Sequence, residues 1–145
     1  MRPTFATVRL GDIVSNYQLA MKLAPASRSI AVIKANAYGH GMVEVAHSLQ
    51  SVAPVFAVAL LEEALMLREA GINQPILVMQ GISHATDVVL AAENKLWLLL
   101  HRQQQLDWLL SANLSNPLTV WVKVDTGMHR LGFTPGQLDR VFASE

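Results

Sequence analysis

The chain has no cysteine, so neither a disulfide framework nor a thiolate metal centre can form. It has no excess charge of either sign: eleven Lys and Arg balance eleven Asp and Glu. No basic face therefore argues for nucleic acid, and no lysine-rich amphipathic helix argues for a membrane surface. Long apolar runs are missing too. "VFAVALL" and "LWLLL" fall far short of the ~18 residues a membrane helix needs. The opening "MRPTFATVRLGD" has no uninterrupted apolar core and no small-residue cleavage site, so no secretory signal is expected and a cytoplasmic location is the default. Nothing in the composition marks a linker, a repeat array or low complexity. A length of 145 residues suits one modest domain.

What is present is organised. Short apolar runs recur at Ile30–Ile33, Val55–Leu60, Ile76–Met79, Leu96–Leu100 and Leu118–Val124, each carrying the branched or aromatic residues of a strand buried on both faces. Segments of helical spacing separate them. "LEEALMLREAGI" places Leu61, Ala64, Leu65 and Leu67 or Arg68 a turn apart, with Gly71 as a left-handed stop. "SHATDVVLAAEN" has Ser83 as its expected N-cap, with Val88, Val89 and Ala92 inward. "HRQQQLDWLLSANL" turns Leu106, Leu109 and Leu110 inward, and Thr134-Pro135 opens a last helix that runs to the end of the chain. Alternating strands and helices mean parallel strands joined by crossovers; periodicity does not decide between an open sheet and a closed barrel. Residues 1–10 stand apart, because "TFATVRL" alternates in polarity like a half-buried strand of another sheet. A helix follows it in "DIVSNYQLAMKLA", with Asp12 as cap. About five βα units are present, against the eight, in roughly 250 residues, of a closed barrel. The chain is therefore expected to be a fragment.

In parallel α/β architectures function gathers at the carboxyl ends of the strands. Two such ends are unusual. The first is "KANAYGHG". A lysine drawn partly out of water holds its proton less tightly, leaving the amine free to attack a carbonyl as a Schiff-base lysine must. Beside Lys34, Gly39 and Gly41 permit close backbone approach, and Tyr38 offers a hydroxyl donor. A phosphate-bearing cofactor aldehyde would use all of these; the plainer alternative is a snorkelling lysine before a glycine-rich turn. The second is "KVDTGMHRLG", where Lys123 also ends a buried run. Asp125 and Thr126 can order the turn, and Arg130 brings a planar donor fork suited to a carboxylate or phenolate. The plainer alternative there is an ion pair of Asp125 with Arg130 or Lys123. Five histidines show no metal-ligand spacing. Glu62 and Glu63 read as the acidic first turn of a helix, and the three tryptophans as core.

"AVIKANAYGHG" with "VKVDTGMHRLGF" resembles alanine racemase, the fold-type III pyridoxal-phosphate enzyme of bacterial cell-wall synthesis, over essentially the whole chain but only the N-terminal part of the family's sequence. The resemblance implies an eight-stranded α/β barrel with a β-rich C-terminal domain, working as a cytoplasmic homodimer that supplies D-alanine for peptidoglycan. Residues 1–10 would be a strand of that β domain and 11–145 a partial, cofactor-binding barrel. It further implies that Lys34 forms the aldimine with pyridoxal 5′-phosphate and removes the α-proton of D-alanine, that Tyr38 binds the cofactor phosphate, and that Arg130 contacts the phenolic oxygen and the substrate carboxylate. Lys123 matches a lysine carbamylated in many members. The second base is a downstream tyrosine contributed across the dimer interface, with no match here, so this piece is not expected to racemise alanine unaided. Two alternatives stand beside it: a non-catalytic pyridoxal-phosphate-binding protein on the same barrel, and a racemase of another small amino acid such as serine.

Overall fold

Residues 3–143 are described by the structure, a computed structural model. Each of the five apolar runs contains one strand: β1 (Ala31–Val32), β2 (Phe56–Val58), β3 (Ile76–Val78), β4 (Trp97–Leu100) and β5 (Val120–Val122). All neighbours pair in parallel, in chain order. The register sets Phe56 beside Ile76 and Leu98 beside Val120.

That order fixes the architecture. Parallel crossovers are right-handed, so strands added in sequence, without a reversal, send every crossover to the same face. The helices α3 (Met42–Leu49), α4 (Leu61–Glu69), α5 (Asp87–Glu93) and α6 (Gln103–Ser111) are those crossovers. A doubly wound sheet reverses its order at a switch point; this one does not. The chain is the first part of a singly wound α/β barrel. Phe56, Val58, Ile76, Val78 and Leu98 point to the helix side and pack with Ala46, Ala64, Leu67, Val88 and Ala91. Alanines at the helix contacts let the helices lie close to the sheet. Leu77 and Leu99, one residue out of phase, turn to the other face and line a cavity.

Burial on both faces holds for β2 and β3 but not for the outer strands, where β4 alternates and β5 is only half-buried. Of the three tryptophans, Trp108 on α6 packs against the core, whereas the two on the strands follow this gradient. Trp97 and Trp121 pack tilted across β4 and β5 with centroids 6.0 Å apart, and Trp121 remains 43% exposed.

Helix starts differ from expectation where a local hydrogen bond wins over the cap rule. The first helix, α1 (Leu10–Leu23), begins after Arg9, whose guanidinium pairs with Asp12 at 2.8 Å. Asp12 is thus a first-turn acid, not the cap. Ser83 does not cap α5, which starts at Asp87; instead the Asp87 carboxylate accepts the N–H groups of Ser83 and His84. Within α5, Val88 and Ala91 are buried while Val89 is exposed. In α6 Leu106 is buried and Leu110 exposed. Gly71 does close α4, with φ of +83°. Thr134 precedes a 3₁₀ turn (Pro135–Gln137) and α7 (Leu138–Phe142), its N–H bound by Gln137 Oε1 at 2.8 Å. Residues 3–9 form no strand and are exposed, because no neighbouring backbone is within pairing reach among the described residues. Met1 and Arg2, part of the expected N-terminal strand, and Ser144 and Glu145, part of the expected final helix, lie outside the described residues.

Candidate active site

The lysine that ends β1 opens an unusual turn. Lys34 begins α2 (Lys34–Gly39), in which Ala35, Asn36, Ala37 and Tyr38 all have positive φ, between 51° and 54°. Four consecutive left-handed residues, none of them glycine, cost roughly 1–2 kcal/mol each, so the surroundings must hold them. Ala37 N–H donates to Ile33 O and Gly41 N–H to Asn36 O. The Asn36 side chain accepts the N–H of Met42 at 2.8 Å, which satisfies an otherwise orphaned donor at the start of α3. Gly41 sits at φ +91°, a conformation that a residue with a Cβ adopts only under strain. Glu63 supplies the remaining tie: Ala35 N–H donates to its Oε1 at 2.6 Å.

The second loop, residues 125–132, is pinched at its base. Phe133 N–H donates to Lys123 O and Asp125 N–H to Phe133 O, both at 2.8 Å, with the Phe133 side chain buried beneath. Asp125 does not pair with Arg130 or Lys123. Its carboxylate accepts the N–H groups of Gly127 and His129, each at 3.0 Å, and the His129 imidazole at 3.2 Å. Those two backbone donors, then the imidazole, hold its pKa below the ordinary carboxylate value. Asp125 thereby folds the loop and leaves Arg130 free to face elsewhere.

Both loops border one cavity of about 740 Å³ on the sheet's open face. Lys34, Lys123 and Arg130 line it together with Arg102, and among the described residues no carboxylate does. In a chain of zero net charge, four cations around one hollow make a site for an anion. Among the described residues neither the Lys123 side chain nor the Arg130 side chain has a hydrogen-bond or ion-pair partner, although the Lys123 backbone is bonded on both sides. Tyr38 does not line this cavity; it is 60% exposed, with its ring 5.9 Å from Lys34 Nζ.

Two features of the site were not singled out by sequence pattern. "QGISHA" and "HRQQQ" read as ordinary loop and cap material, yet they meet in a buried network. Gln105 is fully buried. Its amide donates to Gln80 O at 2.9 Å and Ile82 O at 3.0 Å, and its Oε1 accepts His101 N–H at 3.1 Å. His101 Nε2 lies 2.9 Å from Gln80 O, which only accepts, so that nitrogen carries the proton. Gly81 makes the close approach feasible. Its φ is +65°, and a Cβ there would fall 2.5 Å from Leu99 O and 2.7 Å from the Gln105 amide nitrogen. Glu63 is the other feature, since its reach across to Ala35 is invisible in a pattern that marks it as a first-turn acid.

The alanine racemase N-terminal domain family matches residues 8–144. The chain belongs to that family. A curated alanine racemase from Chromohalobacter salexigens is 50% identical over 134 residues, which cover 92% of this chain and 37% of the relative. A catabolic alanine racemase from Pseudomonas aeruginosa is 47% identical over 93% of this chain and 38% of its own length. The crystal structure of the biosynthetic alanine racemase from the same organism superposes with a TM-score of 0.93 at 45% identity, over 99% of this chain and 40% of that one. An alanine racemase structure from Bacillus anthracis with bound L-Ala-P gives 0.85 at 35% identity, over 99% and 39%. The chain thus spans about two-fifths of the length of the relatives it matches.

Proposed function

We propose that this chain is the cofactor-bearing part of an alanine racemase, an isomerase that interconverts L- and D-alanine and supplies the D-enantiomer for peptidoglycan in the cytoplasm. The observation that carries this is the grouping of Lys34, Lys123 and Arg130 around one cation-lined cavity that no carboxylate lines among the described residues, in a chain whose relatives bear that name.

Pyridoxal 5′-phosphate fits this donor set, being an anionic aldehyde that needs one amine and several positive partners. When bound, it supplies the electron sink that makes the α-proton of an amino acid removable. The protein's residues do the rest. Lys34 Nζ is the amine that would hold the cofactor aldehyde, and as a free amine it would take or return the proton on one face of the α-carbon. The Arg130 fork would hold the cofactor's phenolic oxygen and the substrate carboxylate, for which its planar geometry is suited. Tyr38, beside Lys34 at the cavity's margin, would donate its hydroxyl to the phosphate. Lys123, carbamylated to an anion, would accept from Arg130 and hold its orientation. Inversion requires a proton-transfer group on the other face as well. That group would come from beyond these residues, across a homodimer interface; of the segment expected to pair into a β-rich second domain, Leu10 belongs to α1 instead, which leaves residues 3–9 for that pairing.

The test is to reduce the complete gene product with borohydride in the presence of pyridoxal phosphate and locate the added mass. Label on the peptide bearing Lys34, and none in Lys34→Ala, is expected. Label on Lys123 instead would overturn the assignment.

A further inference from the structure

We propose that Glu63 is a positioning residue for Lys34, its carboxylate tying the ends of β1 and β2 together and holding the left-handed turn that presents the lysine to the cavity. The proposal rests on the reading of Lys34 as the cofactor amine, though the tie itself is measurable without any cofactor.

An acid three residues into a helix ordinarily serves that helix alone. Part of the Glu63 carboxylate does so: Oε2 accepts Ala59 N–H at 2.8 Å and Leu60 N–H at 3.1 Å. Oε1 leaves α4 altogether and takes Ala35 N–H at 2.6 Å, 28 residues away in sequence. The strand ladder cannot do this job, since the last β1–β2 bond is Ile33 N–H to Ala57 O. From Lys34 onward Glu63 is the link between the two strand ends. The Ala35 N–H belongs to the planar peptide that joins it to Lys34. Pinning that amide therefore pins the carbonyl of Lys34, and with it the direction in which the chain leaves the lysine for four left-handed residues.

Three N–H donors on one side chain demand an acceptor-only group with two oxygens. Glutamine in that place keeps one acceptor and turns its own N–H₂ toward a donor. Aspartate keeps the charge but is one methylene shorter, so it can serve Ala59 and Leu60 without reaching Ala35. Aspartate thus separates a helix cap from a positioning tie. Glu62 lies exposed on the same turn and is the control.

The experiment compares the complete gene product with its Glu63→Gln, Glu63→Asp and Glu62→Gln variants, first by amide hydrogen exchange without cofactor. Ala35 should exchange roughly ten- to a hundredfold faster in both Glu63 variants, as loss of a charge-assisted bond predicts. The β2 amides, and Ala35 in Glu62→Gln, should not change. The rate of borohydride-trapped attachment of pyridoxal phosphate at Lys34 should fall in step. Unchanged exchange at Ala35 would overturn the proposal. So would equal acceleration throughout the core, preserved protection in Glu63→Asp, or an attachment rate that ignores Ala35. Faster exchange at Ala35 in a protein that never attaches the cofactor at Lys34 would uphold the tie and overturn the functional reading.

Discussion

Replacing Gln105 by leucine preserves volume and helix propensity and removes only the amide. The consequence can be worked bond by bond. Gln80 O keeps His101 Nε2–H, so it is not left bare. Ile82 O loses the donor at 3.0 Å and His101 N–H loses the acceptor at 3.1 Å. Leaving a buried polar group unpaired costs about 1–3 kcal/mol; with the part-buried His101 N–H at the low end of that range, the two groups give roughly 2–4 kcal/mol, with little cavity contribution from a near-isosteric swap. With a urea m-value of about 2–3 kcal/mol/M, the midpoint of the complete gene product should fall by about 1–2 M. The exposed neighbour Gln104→Leu should leave it within ~0.3 M, as surface substitutions do. A Gln105→Leu midpoint equally close to wild type would refute the claim that this amide holds the ends of β3 and β4 together.

Arg68 donates to four carbonyls, those of Ile72, Gln74, Asn94 and Lys95, and burial lowers its pKa. Lysine cannot fork to all four, so Arg68→Lys should cost about 1.5–3 kcal/mol in urea unfolding, and an unchanged midpoint would contradict the assignment. Asp125 should titrate below the ordinary value of about 3.9 when followed by carboxyl NMR. Because its folded pKa is depressed, it stabilises the 125–132 loop at pH above the unfolded value and loses that contribution as pH falls through the folded one. Backbone donors come first among the causes, so in His129→Asn the Asp125 pKa should rise only part of the way. A full return to about 3.9 would show that the imidazole dominates.

Much of the fold is legible in the sequence. All five strands fall inside the apolar runs, because burial against the helices on one face, and against a cavity wall on the other for the central strands, favours apolar residues in succession. The strand ends that carry Lys34 and Lys123 are legible for the same reason, since a cation at the end of such a run is conspicuous. The left-handed turn from Ala35 to Tyr38 is not. Alanine has no preference for that conformation, and part of what holds it is a bond to Glu63, 28 residues away on α4. Nor is the role of Gln105 legible: three glutamines stand in a row, and helical register alone buries the third. The N-terminal caps misread at Asp12 and Ser83 fail alike, because Arg9 and Asp87 offer local partners that composition does not rank.

The central claim is that Lys34 moves a proton on the α-carbon of alanine. It is tested most directly by incubating the complete gene product with pyridoxal phosphate and D-alanine in deuterium oxide. The α-proton signal is followed by NMR, and the product's handedness by chiral separation. Loss of the signal with formation of L-alanine, both abolished in Lys34→Ala, is the predicted result. Exchange no faster than that given by free cofactor, or exchange that survives Lys34→Ala, would contradict it.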